Sequence, residues 1–209
     1  MNAGKYIVIE GNDGTGKSTQ VSEIRKLLND KGIESVEFHE PAGVPVADAI
    51  RTVIKDGSLE RSGETNLLLF TAARNEIWRR AAQELASGVW VIAARNYYST
   101  LAYQGYGEGL SIQLIEDTTR KFTNEEYCKP DLAVILRLDN ASRGKRIAER
   151  GALDKPDTFE SRTVDFQTKV NQGYLEIAST HNLQIIDANR SVENVRDDIW
   201  QEVEKLLET

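Results

Sequence analysis

The residues Gly11-Asn12-Asp13-Gly14-Thr15-Gly16-Lys17-Ser18 match the pattern G-x-x-x-x-G-K-[ST] without exception. Glycines at these positions permit backbone conformations that turn successive N–H groups onto one phosphate. A helix opening near Lys17 adds its positive dipole end. At this spacing Lys17 reaches β- and γ-phosphates, and the Ser18 hydroxyl ligates Mg²⁺. The chemistry indicated is binding of a nucleoside triphosphate with its metal. The loop alone does not say what is done with that nucleotide.

Three further groupings are chemically suggestive. Phe70 and Arg74 stand four apart, on one face of a helix. A flat apolar ring stacks on a pyrimidine, and a guanidinium donates to a base carbonyl. On spacing alone, a core ring beside a surface arginine is the preferred reading. Thr100 and Gln104, also one turn apart, offer a hydroxyl and an amide to a base edge. Arg143, Arg146 and Arg150 line one helix face, with Lys145 beside it. An acidic chain that handles polyphosphate needs such a local positive patch, because phosphoryl transfer spreads negative charge over the moving group. His39 and His181 are isolated, so neither a zinc site nor histidine catalysis is indicated, and no G-x-S-x-G element occurs.

Positioning these groups falls to alternating elements. KYIVIE, SVEFHE, VWVIAA, LAVILRL and LQIIDA are short apolar runs, most without strict alternation, as in strands buried on both faces. Between them, 19–29, 46–55, 64–87, 111–126 and 159–179 carry apolar residues at helical spacing, and 192–207 forms a last helix. This alternation predicts an α/β fold, a parallel sheet with helices on both faces and ligands beyond the carboxyl ends of the strands. Ser99 reads as a helix N-cap, and Gly105, Gly107 and Gly109 as a flexible loop over the ligand.

Composition sets outer bounds. The 209 residues suit one domain with one core. Lys and Arg number 26 against 33 Asp and Glu, a net charge of −7, which disfavours a nucleic-acid partner. A single cysteine, Cys128, fits a reducing, cytoplasmic compartment. No apolar run approaches the ~20 residues of a membrane span, and the chain enters its first strand without a signal-peptide pattern.

Six segments, IEGNDGTGKSTQ, HEPAGVPVADAIR, LLLFTAARNEIW, ARNYYSTLAYQG, RGKRIAERGALDK and IDANRSVENVRDDI, together resemble thymidylate kinases in order and spacing. The similarity covers nearly the whole chain, including GYLEIA at 173–178. It implies a P-loop three-layer α/β fold with a five-stranded parallel sheet. It further implies transfer from ATP·Mg²⁺ to dTMP, giving ADP and dTDP for dTTP synthesis, usually in a homodimer.

Residue by residue, the resemblance places ATP on Gly11, Asn12, Asp13, Gly14, Thr15, Gly16, Lys17, Ser18 and Thr19, with Arg143 and Ala188 near adenine. It places Mg²⁺ on Ser18 and Asp13. It places dTMP on Asp13, Glu40, Pro41, Arg51, Phe70, Arg74, Arg95, Ser99, Thr100, Tyr103 and Gln104. Phe70 stacks on thymine, Arg74 reads its O4 side, and Tyr103 lies under the deoxyribose, disfavouring a 2′-hydroxyl by bulk. Catalysis is implied for Lys17, Asp13 and Arg95, and for the lid arginines Arg150 and then Arg146. The lid spans 141–160, bracketed by Gly151 and Pro156, and Gly14 in the phosphate loop matches the bacterial type, whose catalytic arginine sits in the lid. Asp154 reads as a solvated loop residue and Glu10 as a structural partner of the phosphate loop.

The chain departs from the family pattern in two places. Ala42, Gly43 and Val44 stand where two glycines and a threonine are usual. Ala94 stands where an aspartate precedes the arginine, and Asn96 replaces an aromatic or histidine. Three readings follow: a working dTMP kinase, a kinase for another deoxypyrimidine monophosphate such as dUMP, or an impaired nucleotide-binding homologue.

Overall fold

The computed structural model describes residues 3–150, 158–159 and 162–208, without the side chain of Arg150. The five apolar runs become strands β1 (Tyr6–Gly11), β2 (Ser35–His39), β3 (Trp90–Ala94), β4 (Leu132–Arg137) and β5 (Gln184–Asp187). They form one all-parallel sheet in the order β2-β3-β1-β4-β5. The helices are α1 (Lys17–Asp30), α2 (Pro45–Lys55), α3 (Gly63–Ala86), α4 (Tyr97–Thr100), α5 (Ile112–Phe122), α6 (Glu125–Cys128), α7 (Asn140–Arg150), α8 (Val164–His181) and α9 (Val192–Leu207). This is the expected α/β P-loop architecture. No helix among the described residues is long and apolar enough to cross a membrane.

Strand β1 is buried along its whole length, which explains its unbroken apolar run. Ile7 and Ile9 face one layer with Val21, Ile24 and Leu28 of α1 and Val195, Ile199 and Val203 of α9. Tyr6 and Val8 face the other, with Ile77 and Trp78 of α3 and Tyr174 and Ile177 of α8. Each fully buried aliphatic side chain contributes about 1.5–3 kcal/mol from burial. Because β3 lies on one side of β1 and β4 on the other, the chain changes direction at the carboxyl end of β1, where open α/β sheets bind ligands.

Four local expectations need correction. The helical pattern over 111–126 breaks, because Thr123 leaves helical geometry (φ −115°, ψ −115°) and the Asn124 side chain caps a new turn at Tyr127 N, 2.9 Å away. The helix expected from 159 starts at Val164, where the Thr163 hydroxyl accepts from Phe166 N. The stretch expected as a glycine loop is a π-helical turn, Leu101–Gly107, continuing α4. A Cβ on Gly105 would come within 2.6 Å of Ile112, and one on Gly107 within 2.6 Å of Phe166, so both glycines serve close packing. Asn96, not Ser99, caps α4, its Oδ1 accepting from Tyr98 N at 2.9 Å.

Candidate active site

The loop between β1 and α1 is built around Asn12. Its carbonyl accepts from Thr15 Oγ1 at 2.9 Å and from Lys17 Nζ at 2.8 Å. Its side chain accepts from Asp13 N at 2.7 Å and donates to Asn171 Oδ1 at 2.8 Å. Gly14 and Gly16 adopt φ of +83° and +93°, left-handed conformations that favour glycine. Gly16 stands at the N-cap of α1 with no side-chain cap, which leaves the first helical N–H groups to an anion.

A polar network joins this loop to the end of β3. Arg95 adopts a φ of +77°, a strained conformation for a non-glycine residue that surrounding contacts must hold in place. Its Nη1 donates to Gly11 O at 3.1 Å, Ser99 Oγ at 2.8 Å and Tyr174 Oη at 3.2 Å, and its Nη2 pairs with Asp13 Oδ1. The Tyr103 hydroxyl lies 2.8 Å from Asp13 Oδ2 and from Asn12 Oδ1, and the Arg95 guanidinium sits 5.5 Å over its ring. Burial pushes the Asp13 carboxyl up, but Arg95, Lys17 and the Tyr103 hydroxyl outweigh it and hold Asp13 well below the usual carboxylate range. Below them Glu10, fully buried, accepts from Asn96 N, Ser99 N, Ser99 Oγ and Tyr174 Oη at 2.8–3.0 Å. That donor set satisfies a buried carboxylate and anchors the start of α4.

A second network lies at the other end. Arg74 is 2 % exposed; its Nε donates to Glu40 at 2.9 Å, Nη1 to Thr100 Oγ1 at 2.6 Å and Nη2 to Asn96 O at 2.9 Å. Its guanidinium lies 5.1 Å from the Phe70 ring, and Phe159 meets that ring at 5.8 Å. Burial pushes Glu40 up to about 7, although Arg74 and the Tyr127 hydroxyl favour its anion. Gln104 is 1 % exposed and its Nε2 has no hydrogen-bond partner among the described residues.

One cavity of about 450 Å³ runs between the two networks, a volume suited to a nucleotide-sized ligand. Of the expected residues whose side chains are described, all line it except Gly11, Asn12, Thr15, Arg143 and Ala188. Arg143 packs behind the phosphate loop, with Nε donating to Asp13 O at 3.0 Å. Arg146 reaches the cavity and donates to Ala188 O at 2.7 Å. Arg51 faces the cavity without a hydrogen-bond or ion-pair partner among the described residues. Gly151, Asp154, Pro156 and the Arg150 side chain lie outside the described residues.

A family model described as thymidylate kinase matches residues 9–199. The chain belongs to the thymidylate kinase family. It is 36% identical over 198 residues to the thymidylate kinase of Pseudoalteromonas translucida, covering 93% of each chain. It is 35% identical over 214 residues to that of a Psychrobacter species, covering 99% of this chain and 100% of the relative. It is 32% identical to that of Carboxydothermus hydrogenoformans, covering 98% and 97%.

In this thymidylate kinase family member, Ala94 lines the cavity at the end of β3, and its carbonyl accepts from Glu40 N at 3.1 Å. The position therefore links the two strand ends through its backbone while its side chain adds no charge. Residues that sequence reasoning passed over include Tyr174, Tyr127, Ile54, Lys55 and Phe159, and His39, read there as isolated, lines the cavity. Tyr174 lies within GYLEIA, a segment noted only for its resemblance. Phe159 and Tyr127 carry no local signal, because what places them is packing across the chain.

Proposed function

We propose that this protein transfers the γ-phosphoryl group of ATP to the 5′-phosphate of dTMP, giving ADP and dTDP. The observation that carries the reading is one cavity with the phosphate loop at one end and Phe70 with the Arg74 guanidinium at the other. Family membership supports the reaction, and this arrangement is consistent with the parts given to its residues.

ATP phosphates lie against the backbone N–H groups of the loop and the start of α1, with Lys17 at the β- and γ-phosphates. The acceptor phosphate lies near Arg95 and Arg51, the latter unpaired among the described residues. Thymine stacks on Phe70 and takes its O4 contact from Arg74, three of whose five N–H groups already hold it to the protein. Tyr103, fixed by Asp13 and Asn12, walls the sugar. Arg146 brings positive charge to the moving phosphoryl group from α7. Catalysis is positioning and charge stabilisation, with no covalent intermediate.

Magnesium fits the site. Ser18 is exposed on the cavity wall and Asp13 is kept ionised, so both offer the oxygen donors this cation takes. No cluster of three or more His, Cys, Asp or Glu suited to a metal occurs among the described residues, which favours a cation that arrives with the nucleotide. When bound, it neutralises charge on the phosphates.

The chain acts as a single domain and as a cytoplasmic homodimer in this proposal. Leu68 of α3 and Leu114 and Phe122 of α5 are 61%, 46% and 49% exposed, and an apolar face of this kind suits a second copy. The test is ADP release with ATP·Mg²⁺ against dTMP, dUMP, dCMP, dGMP and UMP. Turnover preferring dTMP is expected. Turnover preferring another acceptor, or none while dTMP still binds, overturns the proposal.

A further inference from the structure

Tyr127 lies outside the cavity, on the short helix α6. It is fully buried, with its ring 5.4 Å from Trp78, 6.2 Å from Tyr6 and 6.3 Å from Tyr97. A phenylalanine would fill the same apolar surroundings. A buried hydroxyl is costly unless it is hydrogen-bonded, so its partner matters. That partner is Glu40, whose Oε2 and Oε1 lie 2.9 and 3.1 Å from the Tyr127 hydroxyl. Glu40 in turn accepts from Arg74 Nε at 2.9 Å, and the two Nη atoms of Arg74 rest on Thr100 and Asn96.

We propose that Tyr127 is a positioning residue for the acceptor base: its hydroxyl fixes the Glu40 carboxylate in the orientation that aims Arg74 into the cavity. The proposal rests on the reading of Arg74 as the base contact. The physical case is one of degrees of freedom. A carboxylate with a single partner rotates about its terminal torsion, which is broad. A second donor on the same carboxylate, shared with Arg74 Nε at Oε2, restrains that rotation and makes the guanidinium plane a fixed feature of the pocket. The cap at Asn124, which ends the preceding helix and starts α6, delivers Tyr127 to this spot.

The charged and titratable groups facing Glu40 are Arg74 from α3, Tyr127 from α6, and Glu10 and Tyr6 from β1. Helix α4 and its cap contribute Thr100 and Asn96, which do not titrate. Burial raises Glu40, and the Tyr127 hydroxyl opposes that by favouring the anion. Deleting the hydroxyl therefore moves the protonation of Glu40 to higher pH.

The experiment is steady-state kinetics on Tyr127→Phe, Glu40→Gln, their double variant and Arg74→Gln, with pH profiles. For Tyr127→Phe we expect KM for dTMP to rise about tenfold, with KM for ATP and kcat within about twofold of the parent. The acid limb of kcat/KM for dTMP should move to higher pH, and Glu40→Gln should abolish it. In the double variant, Tyr127→Phe should add no further rise in KM. An unchanged dTMP KM and acid limb in Tyr127→Phe, with only a lower thermal midpoint, makes the residue a packing element and overturns the proposal. Additive effects in the double variant overturn it as well. If Arg74→Gln leaves dTMP binding intact, the underlying reading of Arg74 fails, and this result is distinct from a failure of Tyr127 alone.

Discussion

Replacing Asp13 with asparagine removes one charge while keeping the shape of the side chain. In the parent, Asp13 pairs with Arg95 Nη2 and accepts from Tyr103, and the paired side chains are only 15% and 22% exposed. A fully exposed pair contributes about 0–1 kcal/mol, and breaking a fully buried one costs about 3–5 kcal/mol. This pair lies between those limits. We expect Asp13→Asn to lower stability by about 2–3 kcal/mol at pH 7, read from urea unfolding. A double-mutant cycle with Arg95→Met should return a coupling of about 2 kcal/mol. The sign with pH follows from the depressed carboxyl. Its stabilisation is fully present above the unfolded-state value near 3.8 and is lost as pH falls through the lower folded value. The gap between parent and variant should therefore stay flat from about pH 5 to 8 and close in stronger acid. ADP release with dTMP should fall about a hundredfold in kcat/KM, because Arg95 loses its fixed position. A coupling below about 0.5 kcal/mol, or a gap that changes between about pH 6 and 8, would refute this account of the Arg95 site.

Two alanine variants separate backbone strain from collision. Gly11→Ala puts a Cβ 2.5 Å from Leu136 O at φ +139° and should abolish stable expression, whereas Gly16→Ala, with its nearest contact at 3.9 Å, should cost about 1–2 kcal/mol in urea titration. Phe159→Ala removes a ring that touches both Phe70 and Tyr103 at 5.8 Å. It should lower stability by about 3 kcal/mol and raise turnover of the larger dGMP relative to dTMP in the ADP assay. Leu68→Glu, at the exposed face of α3, should halve the mass seen by sedimentation at unchanged far-UV circular dichroism.

Much of the site was legible because its chemistry is local. The phosphate loop needs glycines, a lysine and a hydroxyl at fixed offsets, and those offsets set where backbone N–H groups point. Phe70 and Arg74 share a face through helical period alone. The glycines at 105 and 107 misled, because a missing side chain serves a tight contact as well as a flexible turn; here the contacts to Ile112 and Phe166 decide. The helix break at Thr123 was equally hidden, since the apolar period continues across it.

The sequence by itself determined the alternating β and α elements, the parallel sheet, the phosphate loop and the family, all of which depend on residue type and spacing along the chain. The tertiary structure alone decided which charges are paired and which polar groups are buried. Glu10 meets Tyr174, 164 residues away, and Glu40 meets Tyr127, 87 residues away. Arg143 turns behind the loop while Arg146, on the same helix, faces the cavity. Such pairings arise from how layers stack on the sheet, and desolvation in that packed interior raises Glu40 while Asp13, beside Arg95, is lowered.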